Sequence, residues 1–154
     1  MGLLARLLGT SPHTDRDLVA DLVAAYRAEA EHAQHLRQHA ERARYPQAAD
    51  HLRRLAEQED RHAIALRDLI VAHGGGVPPI APDPLAGRNP WERAVAAQQE
   101  AQRKRREMLQ RVNRWDPEAT EAATIMQRIE REDGEAIGTY NDLVMRADPQ
   151  SLDD

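Results

Sequence analysis

Residues 55–66, LAEQEDRHAIAL, contain an acid and an imidazole on the face of a helix that should be apolar. Glu59 and His62 are three residues apart, so in a helix both side chains project from one face and can bind a single ion. When side chains are placed at 100° intervals, Glu29 and Asp133 likewise interrupt the apolar stripes of their own segments. A buried carboxylate is costly unless it is protonated, paired with a cation or bound to a metal. The pattern therefore predicts a metal site formed by Glu29, Glu59, His62 and Asp133.

The types of these side chains narrow the choice of metal. The chain contains no cysteine, which excludes thiolate ligands and disulfides. Carboxylates with an imidazole and no sulfur are typical of iron, manganese or zinc sites.

Helix-capping and helix-breaking residues divide the chain into four predicted helices. Thr14 and Asp116 are expected as N-caps, while Pro46 and Pro117 are expected at first helical positions. Glycines at 74–76 end the second helix. The predicted helices span about 14–44, 46–73, 91–113 and 117–147.

The connections between these helices differ greatly in length. Short turns join the first helix to the second and the third to the fourth, which predicts two antiparallel hairpins. The middle connection, residues 74–90, is rich in glycine and proline, and at ~3.3 Å per residue it can span the whole bundle. The sequence predicts an all-α, antiparallel four-helix bundle over 14–147, with one long crossover between helices 2 and 3. Residues 1–13 are expected to be a flexible or docking arm, and 148–154 an acidic tail.

Composition limits the partners of the chain. A net charge of −5 argues against nucleic-acid binding. No apolar run is long enough to span a membrane, and the first residues lack the pattern of a secretory signal. We expect a cytoplasmic protein that forms a homo-oligomer and has a metal ion as its partner.

The residues on the first two helices resemble a known family. Glu29, followed by Glu59-x-x-His62, is similar to the first half of the ferritin-like di-iron pattern, and LAEQEDRHA resembles the second helix of rubrerythrin-type proteins. The resemblance covers roughly residues 15–147. It implies a ferritin-like fold and iron as the cofactor, held as one ion or as a pair. It also implies ferroxidase or peroxide chemistry as a candidate activity, although whether the chain is an enzyme stays open.

The second half departs from that pattern. When IEREDGEAI is laid on the second helix, Asp133 takes the place of Glu59 and Ala136 that of His62, so the second histidine is missing. On helix 3 the predicted inward face contains Gln98, Gln102 and Arg105 instead of a carboxylate. This inward face has the following apolar members: Trp91, Ala94, Val95, Leu109 and Val112.

Two functions therefore stay open. In one, the bundle binds iron or a similar metal. In the other, it is a non-catalytic ferritin-like scaffold or interaction module, whose vestigial metal site is neutralised by Arg105. A variant of the first resembles encapsulated ferritins, where Glu29, Glu59 and His62 would form half of a site shared between two chains.

A row of histidines lies on one side of helix 1: His32, His35 and His39. We expect an interfacial or solvated row. His32 also follows Glu29 by three residues, so it could join the metal site.

Overall fold

The computed structural model describes residues 15–115 and 120–150. Within these ranges the chain forms four α-helices and no strand: α1 (Asp15–Glu41), α2 (Pro46–Ala72), α3 (Pro90–Val112) and α4 (Glu121–Arg146). The predicted all-α bundle is confirmed.

The start of α4 differs from the prediction. This helix begins at Glu121, and the Thr120 side chain caps it by accepting a hydrogen bond from the Ala123 backbone N–H. Asp116 and Pro117, the predicted cap and first residue, lie outside the described residues. The predicted arm and residues 151–154 of the predicted tail lie outside them too.

The helices pack as two hairpins with a crossover between them. Helix α1 packs on α2 and α3, and α4 also packs on α2 and α3, which leaves α1 diagonal to α4 and α2 diagonal to α3. The crossover starts near the first turns of α1, where a Cβ on Gly75 would lie 2.7 Å from Val19 Cγ1. Further along, the carbonyl of Asp83 accepts a 2.8 Å hydrogen bond from His35 Nε2, in the second half of α1. The segment thus runs along the bundle, as the unequal connection lengths predicted.

The core consists of two apolar clusters separated by a polar layer. One cluster contains Leu18, Leu22, Ala25, Leu66, Leu69, Ile70, Met108, Val112, Ala122, Met126 and Ile129. The other contains Leu36, Ala40, Leu52, Leu55, Ala56, Ala97, Ala101, Ala136 and Tyr140. Between them lies a polar layer to which every helix contributes: Glu29, Glu59 with His62, Lys104 and Asp133. Apolar packing on both sides removes these side chains from water.

Helix α3 is rotated relative to the prediction. Trp91 and Leu109, which were expected inside, have 36% and 44% of their surface exposed. Ala94 and Val112 are buried as predicted, and the other buried side chains of this helix are Arg93, Ala97, Ala101, Lys104 and Met108. The buried face thus includes three alanines, while the larger Trp91 and Leu109 stay partly exposed. The rotation brings Lys104 to the bundle interior and turns Arg105 to the surface.

Candidate metal centre

The four predicted ligands meet in the polar layer of the bundle. Glu29 comes from α1, Glu59 and His62 from α2, and Asp133 from α4; all four are buried. One ligand atom from each lies within 4.8 Å of the others. Their predicted convergence is confirmed, while their role as metal ligands stays a prediction.

Lys104 occupies the centre of this cluster. Its ammonium Nζ lies 2.8 Å from Glu29 Oε2, 2.7 Å from Glu59 Oε2 and 2.7 Å from Asp133 Oδ2. It donates hydrogen bonds to Glu29 and Asp133, whereas its approach to Glu59 is an ion pair without hydrogen-bond geometry. Only 3% of the lysine side chain is exposed. The lysine ammonium therefore occupies the position that a metal ion bound to the same three carboxylates would take.

Sequence reasoning missed Lys104 because lysine is among the residues least often fully buried. A signal was nevertheless present. Ala97, Ala101, Lys104 and Met108 follow one another at intervals of four, three and four residues, which is the period of a buried helix face.

The prediction that Arg105 neutralises the acids is wrong. Its Nε donates a 3.0 Å hydrogen bond to Glu130 Oε1, and 46% of its side chain is exposed. One residue along a helix is a rotation of about 100°, so Arg105 and Lys104 cannot both face the bundle axis. The cluster does contain a basic side chain from α3, but this side chain is Lys104 and not Arg105.

His62 is a second cation of the cluster. Its Nδ1 lies 3.3 Å from Glu29 Oε2 and 3.4 Å from Asp133 Oδ1, and its Nε2 lies 2.7 Å from Glu132 Oε2. Ionised carboxylates only accept hydrogen bonds, so an imidazole with carboxylates at both nitrogens is favoured as the imidazolium. Burial by itself would lower the pKa of His62, but the contacts with Asp133 and Glu29 outweigh it and raise the pKa to about 10. Sequence reasoning did not predict the contact between Glu132 and His62.

Burial and the contacts within the cluster also shift the pKa values of Glu29, Glu59 and Lys104. Burial acts to raise the pKa of Glu29, but the charge of Lys104 outweighs it and holds that pKa well below its usual range. Burial and the adjacent charge of Glu29 raise the pKa of Glu59 well above its usual value. Burial would lower the pKa of Lys104, but the carboxylates of Glu29 and Glu59 raise it. The cluster thus holds two cationic side chains, Lys104 and His62, among its carboxylates.

The side of the cluster near His32 holds polar atoms without partners. Within 15–115 and 120–150, neither ring nitrogen of His32 has a hydrogen-bond partner, and the same is true of Glu29 Oε1 and the Tyr140 hydroxyl. His32 Nδ1 lies 3.9 Å from Glu59 Oε1, and the His32 ring stacks on Tyr140 with centroids 5.6 Å apart. Burial lowers the pKa of His32 to about 4, so this ring is neutral. These atoms could bind a water molecule or an ion next to the cluster.

The other two histidines of α1 lie away from the cluster. His35 Nδ1 lies 3.0 Å from both Glu100 oxygens, and its Nε2 donates to the carbonyl of Asp83. His39 is buried nearer the C-terminal end of α1. The expected solvated or interfacial row is therefore wrong for His32 and His39, which lie inside the chain's own fold.

The segment that contains α1 and α2 also matches a known protein family in sequence. Residues 13–78 match the Rubrerythrin family model. This confirms, for that part of the chain, the resemblance to the ferritin-like di-iron carboxylate superfamily. The matched region includes Glu29, Glu59 and His62, while Lys104 and Asp133 lie beyond it. No curated protein and no solved structure gives a significant match to the chain.

The residues present can be compared with the needs of a rubrerythrin-type metal site. Three carboxylates and one imidazole are suitable donors for one divalent ion. A pair of ions does not fit, because α3 contributes Lys104 instead of a carboxylate and α4 has Ala136 where the second histidine would stand. Even one ion, at about 2.0–2.2 Å from the same oxygens, would require the Lys104 ammonium to leave.

None of the four helices in the described ranges is both long and apolar enough to cross a bilayer.

Proposed function

We propose that this chain is a non-catalytic ferritin-like scaffold or interaction module, in which the ammonium of Lys104 replaces the metal. The observation that carries the proposal is the position of Lys104 Nζ, within 2.8 Å of an oxygen of Glu29, Glu59 and Asp133. On this view the polar layer fixes the register of the four helices and does not bind a substrate. A cytoplasmic location and a homo-oligomeric state remain expectations from the sequence.

Chemical reasoning supports the same proposal. Metal-based oxidation or peroxide chemistry requires a bound ion with an open coordination position. Lys104 uses one oxygen of each carboxylate, and His62 contacts Glu29 and Asp133 as a second positive group. A metal ion would have to displace one cation and approach the other, so the charge of the site opposes its binding.

Metal analysis of matched variants tests the proposal. The wild-type chain, Lys104→Met and Lys104→Glu would be incubated with ferrous iron without oxygen, desalted and measured for iron by mass spectrometry. We expect no stoichiometric iron in the wild type and iron uptake by Lys104→Glu, since this variant places a carboxylate on α3. Arg105→Glu makes the same charge change at the neighbouring exposed position and should gain no iron. Stoichiometric iron in the wild type would overturn the proposal.

A second candidate is the binding of one iron or similar ion by Glu29, Glu59, His62 and Asp133, with ferroxidase or peroxide activity as its consequence. The observation in its favour is a group of buried atoms beside the cluster that have no hydrogen-bond partner among the described residues, namely Glu29 Oε1 and the two nitrogens of His32. In that case the wild type takes up iron, and Glu59→Ala abolishes uptake. Glu130→Ala, which removes the partly buried carboxylate that pairs with Arg105 outside the cluster, should leave uptake unchanged.

A further inference from the structure

A cavity of about 510 Å³ lies at the end of the bundle where α1 and α4 end and α2 and α3 begin. This is within the size range of sites that bind small molecules. The cavity is separate from the Lys104 cluster, none of whose charged residues lines it. Its lining residues include His39, Ala43, Ala48, Leu52, Ala94 and Leu143.

The chemistry of this cavity is apolar inside and basic at its edge. Leu52, Ala94 and Leu143 provide the apolar wall. Arg44 and Arg146 also line the cavity; both are exposed, and neither is paired with a carboxylate anywhere in the described part of the chain. The acid in the lining, Asp148, already accepts a 2.8 Å hydrogen bond from the Gln150 backbone N–H.

We propose that this end cavity binds a small amphipathic carboxylate, of the class of a medium-chain fatty acid. The apolar tail would lie against Leu52 and Leu143, because burying it there removes apolar surface from water. The carboxylate would bind Arg44 and Arg146, whose guanidinium groups suit a planar two-oxygen anion. Complementary charge at an apolar cavity favours this ligand over a neutral one of the same length.

Calorimetric titration of the full chain with decanoate, below the concentration at which it forms micelles, tests the proposal. We expect saturable binding to the wild type. The double change Arg44→Gln with Arg146→Gln should weaken it by about tenfold or more, which corresponds to 1.4 kcal/mol. Arg128→Gln, at an exposed position in the middle of α4, is the matched control and should bind as the wild type does. Decanol, which lacks the charge, should bind at least about tenfold more weakly than decanoate.

A variant that fills the cavity tests whether decanoate binds there and not elsewhere on the surface. Ala48 is partly exposed at the start of α2 and lines the cavity, so Ala48→Trp can occupy the space without entering the central core. We expect it to abolish decanoate binding while the helical circular dichroism is retained. If Ala48→Trp does not fold, the arginine pair decides the question alone. Absence of binding to the wild type, equal affinity for decanol, or equal loss in Arg128→Gln would each overturn the proposal.

Discussion

Replacing Lys104 by methionine tests most directly how the polar layer is held together. Methionine is close to lysine in length and shape, so Lys104→Met removes the charge with little change in packing. The ammonium lies 2.7–2.8 Å from three carboxylate oxygens and is 3% exposed. Without it, His62 is the remaining cation among the buried carboxylates of the cluster.

The expected loss follows from two opposing terms. At an effective dielectric constant of 20, the contacts of Lys104 with Glu29 and Asp133 are each worth about 6 kcal/mol of Coulomb attraction, whereas the raised pKa of Glu59 favours its neutral form and weakens the third contact. Desolvation of the ammonium and of the carboxylates offsets most of this sum. Removal of one partner from a buried ion pair typically costs about 3–5 kcal/mol, because the other charge is left buried without compensation. We therefore expect Lys104→Met to lower the free energy of unfolding at pH 7 by about that amount.

The assay is urea unfolding at pH 7, followed by the helical circular dichroism signal. Arg105→Met is the matched control: it removes a positive charge one residue away, where the side chain is 46% exposed and pairs with Glu130. It should cost less than about 1 kcal/mol. The reasoning is refuted if Lys104→Met is as stable as the wild type, or if both variants lose the same free energy.

Three further predictions concern other parts of the bundle. Burial lowers the pKa of His32 to about 4, so the unfolded chain binds more protons between pH 6.5 and 4. Acidification through this window should therefore cost the wild type about 3 kcal/mol that the non-titrating His32→Gln does not lose, as measured by urea unfolding at each pH. The hydrogen bond with Glu100 raises the pKa of His35, so its stabilising contribution is fully present below pH 6.5 and is lost as the pH rises through the raised value. The stability difference between the wild type and His35→Gln should shrink from pH 6 to pH 9; a constant difference would contradict this reading. Gly138→Ala should raise the free energy of unfolding by about 0.5–1 kcal/mol, because an added Cβ within α4 meets no atom within 4 Å. Gly87→Ala should lower it, because φ is +109° and the Cβ would lie 2.5 Å from the Arg93 backbone nitrogen; thermal unfolding compares the two.

The two halves of the bundle contribute differently to the polar layer. The residues on α1 and α2 resemble the ferritin-like pattern, whereas those on α3 and α4 depart from it. Glu29, Glu59 and His62, which carry the resemblance to the ferritin-like pattern, lie on the helices that the Rubrerythrin family model matches. The other two helices supply Lys104 and Asp133. Once protonated, His62 also has a role in a metal-free network, because it then pairs with carboxylates on both sides.

Much of the fold could be predicted from the sequence alone. The four helices, the long crossover and the inward direction of Glu29, Glu59 and Asp133 follow from strong apolar periods and from proline and glycine at the helix ends. On α1, α2 and α4, leucine and isoleucine mark the buried face clearly. The sequence thereby determined the all-helical bundle and the inward position of Glu29, Glu59, His62 and Asp133, but not that of Lys104.

The tertiary structure decided the rotation of α3 and, with it, the nature of the site. Trp91 and Leu109 on one face of α3 compete with alanines and Met108 on another, so the local pattern permits two orientations. Which face is buried depends on how closely the neighbouring helices approach, and only the packed bundle has the three carboxylates near enough to offset the desolvation of Lys104. A buried lysine is unfavourable in isolation and becomes favourable only when residues distant in sequence surround it, which is why the cation at the centre of this protein was decided by the fold.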